Sequence, residues 1–206
     1  AVGSGALASN TTGGGSVAVG KNSMNSNTTA INNTAVGMNS LQGNTTGTAN
    51  VALGRNALQA NTTASNNTAV GYLSLTANTT GQYNVALGSG ALDSNTTANN
   101  NTAVGFGVMD ANTTGSENVA VGRYALTSNT TAANNVAIGN TALYLNTTGA
   151  NNTGLGKGAL YANTTGTQNT AVGAISLTAN TQGIYNTAIG YDSLGTTTTG
   201  SYNIGL

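Results

Sequence analysis

Apolar and small residues recur along the chain with a fixed interval of 17. The motif Asn-(Thr/Val)-(Ala/Gly)-(Val/Leu/Ile)-Gly begins at Asn33, Asn50, Asn67, Asn84, Asn101, Asn118, Asn135, Asn152, Asn169 and Asn186, with a Ser-headed copy at Ser16 and a partial copy at Asn203. Numbered from the motif Asn, place 3 is Ala or Gly, place 4 is aliphatic, place 5 is Gly, place 8 is small and place 9 is Leu or Met. Places 12 to 14 read Asn-Thr-Thr, and place 15 is Gly or Ala. Places 6, 7, 10, 16 and 17 vary, and most charges and aromatics fall there. Such a period marks one small unit stacked on copies of itself. Residues 1–206 therefore read as a single repeat array, with coils starting at 16, 33, 50, 67, 84, 101, 118, 135, 152, 169, 186 and 203.

The unit is too rich in Gly, Asn and Thr for helix, and too short for two helices with their turns. Val51-Ala52-Leu53 and its copies alternate with period two and predict a short strand, ended by the Gly at place 5. Further short extended pieces are expected at places 8–9 and 12–14. One turn of chain per unit gives an all-β fold, a parallel β-solenoid of about twelve coils, roughly 57 Å long at the strand spacing of ~4.8 Å. The aliphatic residues of places 4 and 9 are expected to line the interior. The Asn rows at places 1 and 12 are expected to form ladders of side-chain amides.

Place 3 tolerates almost no side chain, so another backbone or chain is expected to approach there. Ala18, Ala35, Ala52, Ala69, Ala86, Ala103, Ala120, Ala137, Gly154, Ala171 and Ala188 are the candidate oligomer seam. A coil that buries only two aliphatic side chains offsets little of the entropy of ordering 17 residues. This favours association with further copies of the chain, side by side or end to end as a filament.

Composition narrows the function. Charged residues make up 4% of the chain and formal net charge is zero, so a nucleic-acid footprint is absent. There is no His and no Cys, which removes the usual bases, thiols and zinc ligands, and no cofactor is implied. No apolar run is long enough to cross a bilayer. Asp93 and Asp110 share place 10 in neighbouring coils, and a carboxylate pair can hydrolyse glycosides. Solvated surface acids are the better reading, and no enzyme is expected. The chain begins at place 3 and stops at place 4, as a segment of a longer fibre protein would.

Asn10, Asn27, Asn44, Asn61, Asn78, Asn95, Asn112, Asn129, Asn146 and Asn163 satisfy the Asn-x-Thr acceptor rule for glycosylation, as do Asn32, Asn66, Asn100 and Asn151. Asn180-Thr181-Gln182 keeps the Asn and loses the acceptor pattern, which favours amide ladders over glycans. Regular Thr rows suit an ice-binding or other surface-binding face, and alternation allows only one row to point outward. All eight Tyr lie after residue 71 and are outward candidates for stacking on sugars.

The unit Asn-Thr-Ala-Val-Gly-x-x-(Ala/Ser)-Leu-x-x-Asn-Thr-Thr-Gly resembles repeats of phage tail-fibre proteins and bacterial "tail fiber domain" surface proteins, many of which end in a self-cleaving chaperone domain. More distantly, Asn118-Val119-Ala120-Val121-Gly122 and Asn135-Val136-Ala137-Ile138-Gly139 are similar to head repeats of trimeric autotransporter adhesins. That resemblance implies a left-handed parallel β-roll with three chains side by side, although the adhesin repeat is shorter. It also implies an extracellular place, on a virion tail fibre or cell surface, and an attachment role toward cell-surface glycans or a host receptor.

Overall fold

A computed structural model describes residues 1–206. Twelve parallel strands, β1 (Val17–Val19) to β12 (Ile204–Gly205), form one sheet in sequence order. Each strand pairs with its own copy one coil away, Ala18 with Ala35 and Ala35 with Ala52. The chain is a β-solenoid of about 11 turns with a 17-residue repeat and no helix.

Place 3 faces inward and places 2 and 4 face outward. Ala35, Ala52 and Ala69 are fully buried, whereas Val17, Leu87, Leu155 and Ile189 are 42–50% exposed. The core is a narrow spine of the place-3 alanines, the small residues of place 8 and the Leu or Met of place 9. The expectation that place 4 lines the interior is therefore wrong. The proposed seam at Ala18, Ala35, Ala52, Ala69, Ala86, Ala103, Ala120, Ala137, Gly154, Ala171 and Ala188 fails with it, because these residues lie inside their own coil. Place 3 is small because the chain's own leucine approaches it. A Cβ built on Gly154 would lie 3.5 Å from Leu143 Cδ1 and 3.2 Å from the Ala159 carbonyl oxygen.

Only one strand forms per coil. Of 134 backbone hydrogen bonds, 112 lie outside the strands, so turns carry most of the bonding between coils. The extended pieces expected at places 8–9 and 12–14 are turns and bends instead. The Leu or Met at place 9 adopts φ of 48–53° in every coil, a left-handed conformation that folds the chain back so that the side chain enters the core. Its N–H still donates to the place-8 carbonyl of the next coil, as in Leu41 to Ala57 at 2.9 Å. Place 17 is also left-handed, at φ 55–62°, which explains why Asn is frequent there.

Candidate functional site

The solenoid has no enclosed cavity. Each face is a set of rows fixed by place in the repeat.

The Asn rows are internal. From Asn27 to Asn180, each place-12 Nδ2 donates to the Oδ1 of the previous coil's Asn at 2.8–3.2 Å. It also donates to the place-15 carbonyl three residues on, as in Asn44 to Gly47 at 2.9 Å. The place-1 amides converge on the same carbonyl from across the coil, Asn33 to Gly47 at 2.9 Å and Asn50 to Ala64 at 2.9 Å. Place-1 Oδ1 accepts the backbone N–H of the next coil's Asn, as in Asn50 to Asn33 at 2.8 Å. Ser16 does the same with its hydroxyl, accepting from the Asn33 N–H at 3.1 Å. Asn135 departs from the pattern, since its Nδ2 is buried without a partner.

These bonds decide most of the glycosylation candidates. Asn27, Asn44, Asn61, Asn78, Asn95, Asn112, Asn129, Asn146 and Asn163 are fully buried with both amide hydrogens engaged, and the folded coil has no room for a sugar. Asn10, in the first coil, is half-buried and donates to Gly13. The acceptor asparagines that are exposed are Asn32, Asn66, Asn100 and Asn151, all at place 17.

The two Thr rows divide, one bonded to the next coil and one facing out. Place-13 hydroxyls donate to the place-13 carbonyl of the next coil, as in Thr45 to Thr62 at 3.1 Å. Place-14 threonines such as Thr46, Thr63 and Thr80 are exposed and form one outward row.

The outward face of the sheet is built of aliphatic and threonine side chains. Val or Thr at place 2 and Val, Leu or Ile at place 4 repeat over successive strands, with no charged residue among them. No segment of the chain covers this face, so its aliphatic side chains stay partly in water.

A third face gathers places 6, 7 and 10. Phe106, Tyr124, Tyr144 and Tyr161 make an unbroken aromatic strip over four successive coils, with ring centres 5.4, 6.3 and 5.2 Å apart. Arg123 lies over the Tyr124 ring at 4.6 Å. Asp93 and Asp110 occupy adjacent rungs of the place-10 row that Tyr144 and Tyr161 continue two coils on. Partial burial pushes both carboxyls above the ordinary range, opposed at Asp93 by the nearby Thr76 hydroxyl and reinforced at Asp110 by the charge of Asp93. The strip was not visible in the sequence, because its members occupy different places of the unit. Tyr185 and Tyr202 stack separately at place 17, with ring centres 5.0 Å apart. No group of three His, Cys, Asp or Glu side chains is placed to hold a metal ion.

No protein-family model, curated protein or solved structure matches the chain. The reading of its function therefore rests on the faces themselves.

Proposed function

We propose that the chain is a structural segment, shaft or head, of an elongated extracellular fibre on a virion tail or a bacterial surface. It acts by spacing and presenting surfaces in attachment, and catalyses nothing. The observation that carries this reading is the unbroken register of twelve strands, each offset by one identical unit, which yields a rod with rows of side chains along its length. A fibre shaft needs that extension and that repetition.

The aliphatic outward face supports association of copies, which removes it from water; three copies side by side is the arrangement that the adhesin resemblance implies. The face measures about 50 Å by about 10 Å, from ~4.8 Å per strand and ~3.3 Å per residue. A second copy presents the same row spacing, so its side chains match rung for rung, which an irregular partner cannot do. The interface proposed here uses places 2 and 4.

Antibody raised against the chain is expected to decorate filaments on intact cells or virions, and label confined to the cell interior overturns the fibre reading. Light scattering tests association. Wild type is expected to show a multiple of 20.1 kDa. Leu87→Lys with Val121→Lys is expected to give a folded monomer, while a monomeric wild type overturns the interface.

The exposed place-14 Thr row favours a second reading, an ice-binding or other ordered-surface-binding solenoid. Thermal hysteresis and ice shaping by the isolated chain test it, and their absence removes it.

A further inference from the structure

We propose that Tyr185 and Tyr202 are a site of oxidative modification, at which a peroxidase using hydrogen peroxide joins the two rings as dityrosine and ties one coil covalently to the next. The site goes beyond the fibre reading and does not depend on it.

The repeat itself builds the pair. Both residues occupy place 17, in successive coils, with φ of 56° and 60°. Their N–H groups donate to place-16 carbonyls one coil back, Tyr185 to Thr167 at 3.2 Å and Tyr202 to Ile184 at 3.0 Å. With the backbone repeated, the rings repeat too, with centres 5.0 Å apart and planes 14° from parallel. That separation is close to the rung spacing of ~4.8 Å, so one ring is nearly the other moved along the axis and like atoms face like. The carbons ortho to the two phenol oxygens are thereby opposed. Both rings are open to an oxidant, at 43% and 72% exposure.

Other tyrosines lack one of these features. Tyr83 shares place 17, but Asn66 and Asn100 stand on the rungs either side of it. Tyr144 and Tyr161 are stacked, but Tyr144 is also held edge-on by Tyr124 at 79°.

Each phenol gives one electron and its proton to the peroxidase and becomes a phenoxyl radical. The two radicals couple at their ortho carbons, and the ortho hydrogens pass to the oxygens as the rings regain aromaticity. One C–C bond forms, two C–H bonds break, and hydrogen peroxide is reduced to two molecules of water. The new bond closes a loop one coil long, which restricts the unfolded chain.

Treating the full chain, in dilute solution, with a haem peroxidase and hydrogen peroxide tests the proposal. The expected product shows dityrosine fluorescence, runs as a single chain on a denaturing gel and is lighter by two hydrogens. Cleavage at Asp192, which lies between the two tyrosines, is expected to leave the fragments joined, with the bond located at Tyr185 and Tyr202 by fragmentation. Tyr185→Phe keeps the ring and removes the phenol, and is expected to abolish this product at an unchanged thermal midpoint. Tyr144→Phe is expected to leave it in full yield. No dityrosine, bonds only between separate chains or at other tyrosines, or an undiminished yield from Tyr185→Phe overturns the proposal.

Discussion

Glycine is required at some places and merely convenient at others. Gly122, at place 5, has φ +125°, and a Cβ there would lie 2.6 Å from the Gly139 carbonyl oxygen of the next coil. Gly122→Ala is expected to cost about 2–4 kcal/mol in denaturant unfolding, through steric overlap and backbone strain together. Gly158, at place 7, has φ +66° and meets only Ile175 Cγ2 at 3.5 Å. Asn occupies the same place at Asn22, Asn39 and Asn56. Gly158→Asn is expected to be neutral, or to stabilise by about 0.5 kcal/mol in the same measurement. The Asn rows are less forgiving. Asn112 donates to Asn95 Oδ1 and the Gly115 carbonyl, both at 3.0 Å, and accepts from Asn129 at 2.8 Å. Asn112→Ala strands these buried partners and is expected to cost about 3–5 kcal/mol by the same assay.

At the scale of the element, a three-residue strand has one inward and two outward side chains, or the reverse. Val-Ala-Leu carries no signal beyond hydrophobicity to choose between them, and hydrophobicity pointed the wrong way. The choice is made by the facing turn, where Leu at place 9 fills the spine and leaves room only for a methyl. That turn was itself hidden, because Leu is not a residue that announces a left-handed backbone. The strand, its Gly terminator and the Asn ladders were legible, since each is a residue type repeated at one place. The aromatic strip, assembled from several places, was not. Rows also set local electrostatics. Asp93 and Asp110 share a row, and their carboxyls are raised above the ordinary 3.8 by burial. The fold thus binds protons more tightly than the unfolded chain, so their contribution is full below the ordinary carboxylate value and is lost as pH rises through the raised ones. Thermal midpoints are expected to climb slightly on acidification from neutral pH toward that range. Asp110→Asn is expected to raise the midpoint at neutral pH, by less than about 1 kcal/mol of stability because solvent screens both groups, and to flatten the pH profile.

For the whole molecule, stability is close to a sum over coils and their contacts. Deleting residues 50–66 joins Ala49 to Asn67 and preserves every row. That variant is expected to fold with a small loss in thermal midpoint. Deleting residues 50–65 shifts all later places by one, turning outward side chains inward and breaking both Asn ladders at the junction. It is expected to lose cooperative unfolding over that stretch, read by circular dichroism during heating.

Most coils are closed by two amides meeting on one carbonyl, and each place-1 asparagine seats the backbone of the coil that follows. The side-chain bonds that do this span 3, 14 or 17 residues, as in Asn44 to Gly47, Asn33 to Gly47 and Asn50 to Asn33. No part of the array waits for a distant stretch of sequence. A nascent chain emerging from the ribosome is able to wind itself one turn at a time, each finished turn serving as the template for its successor.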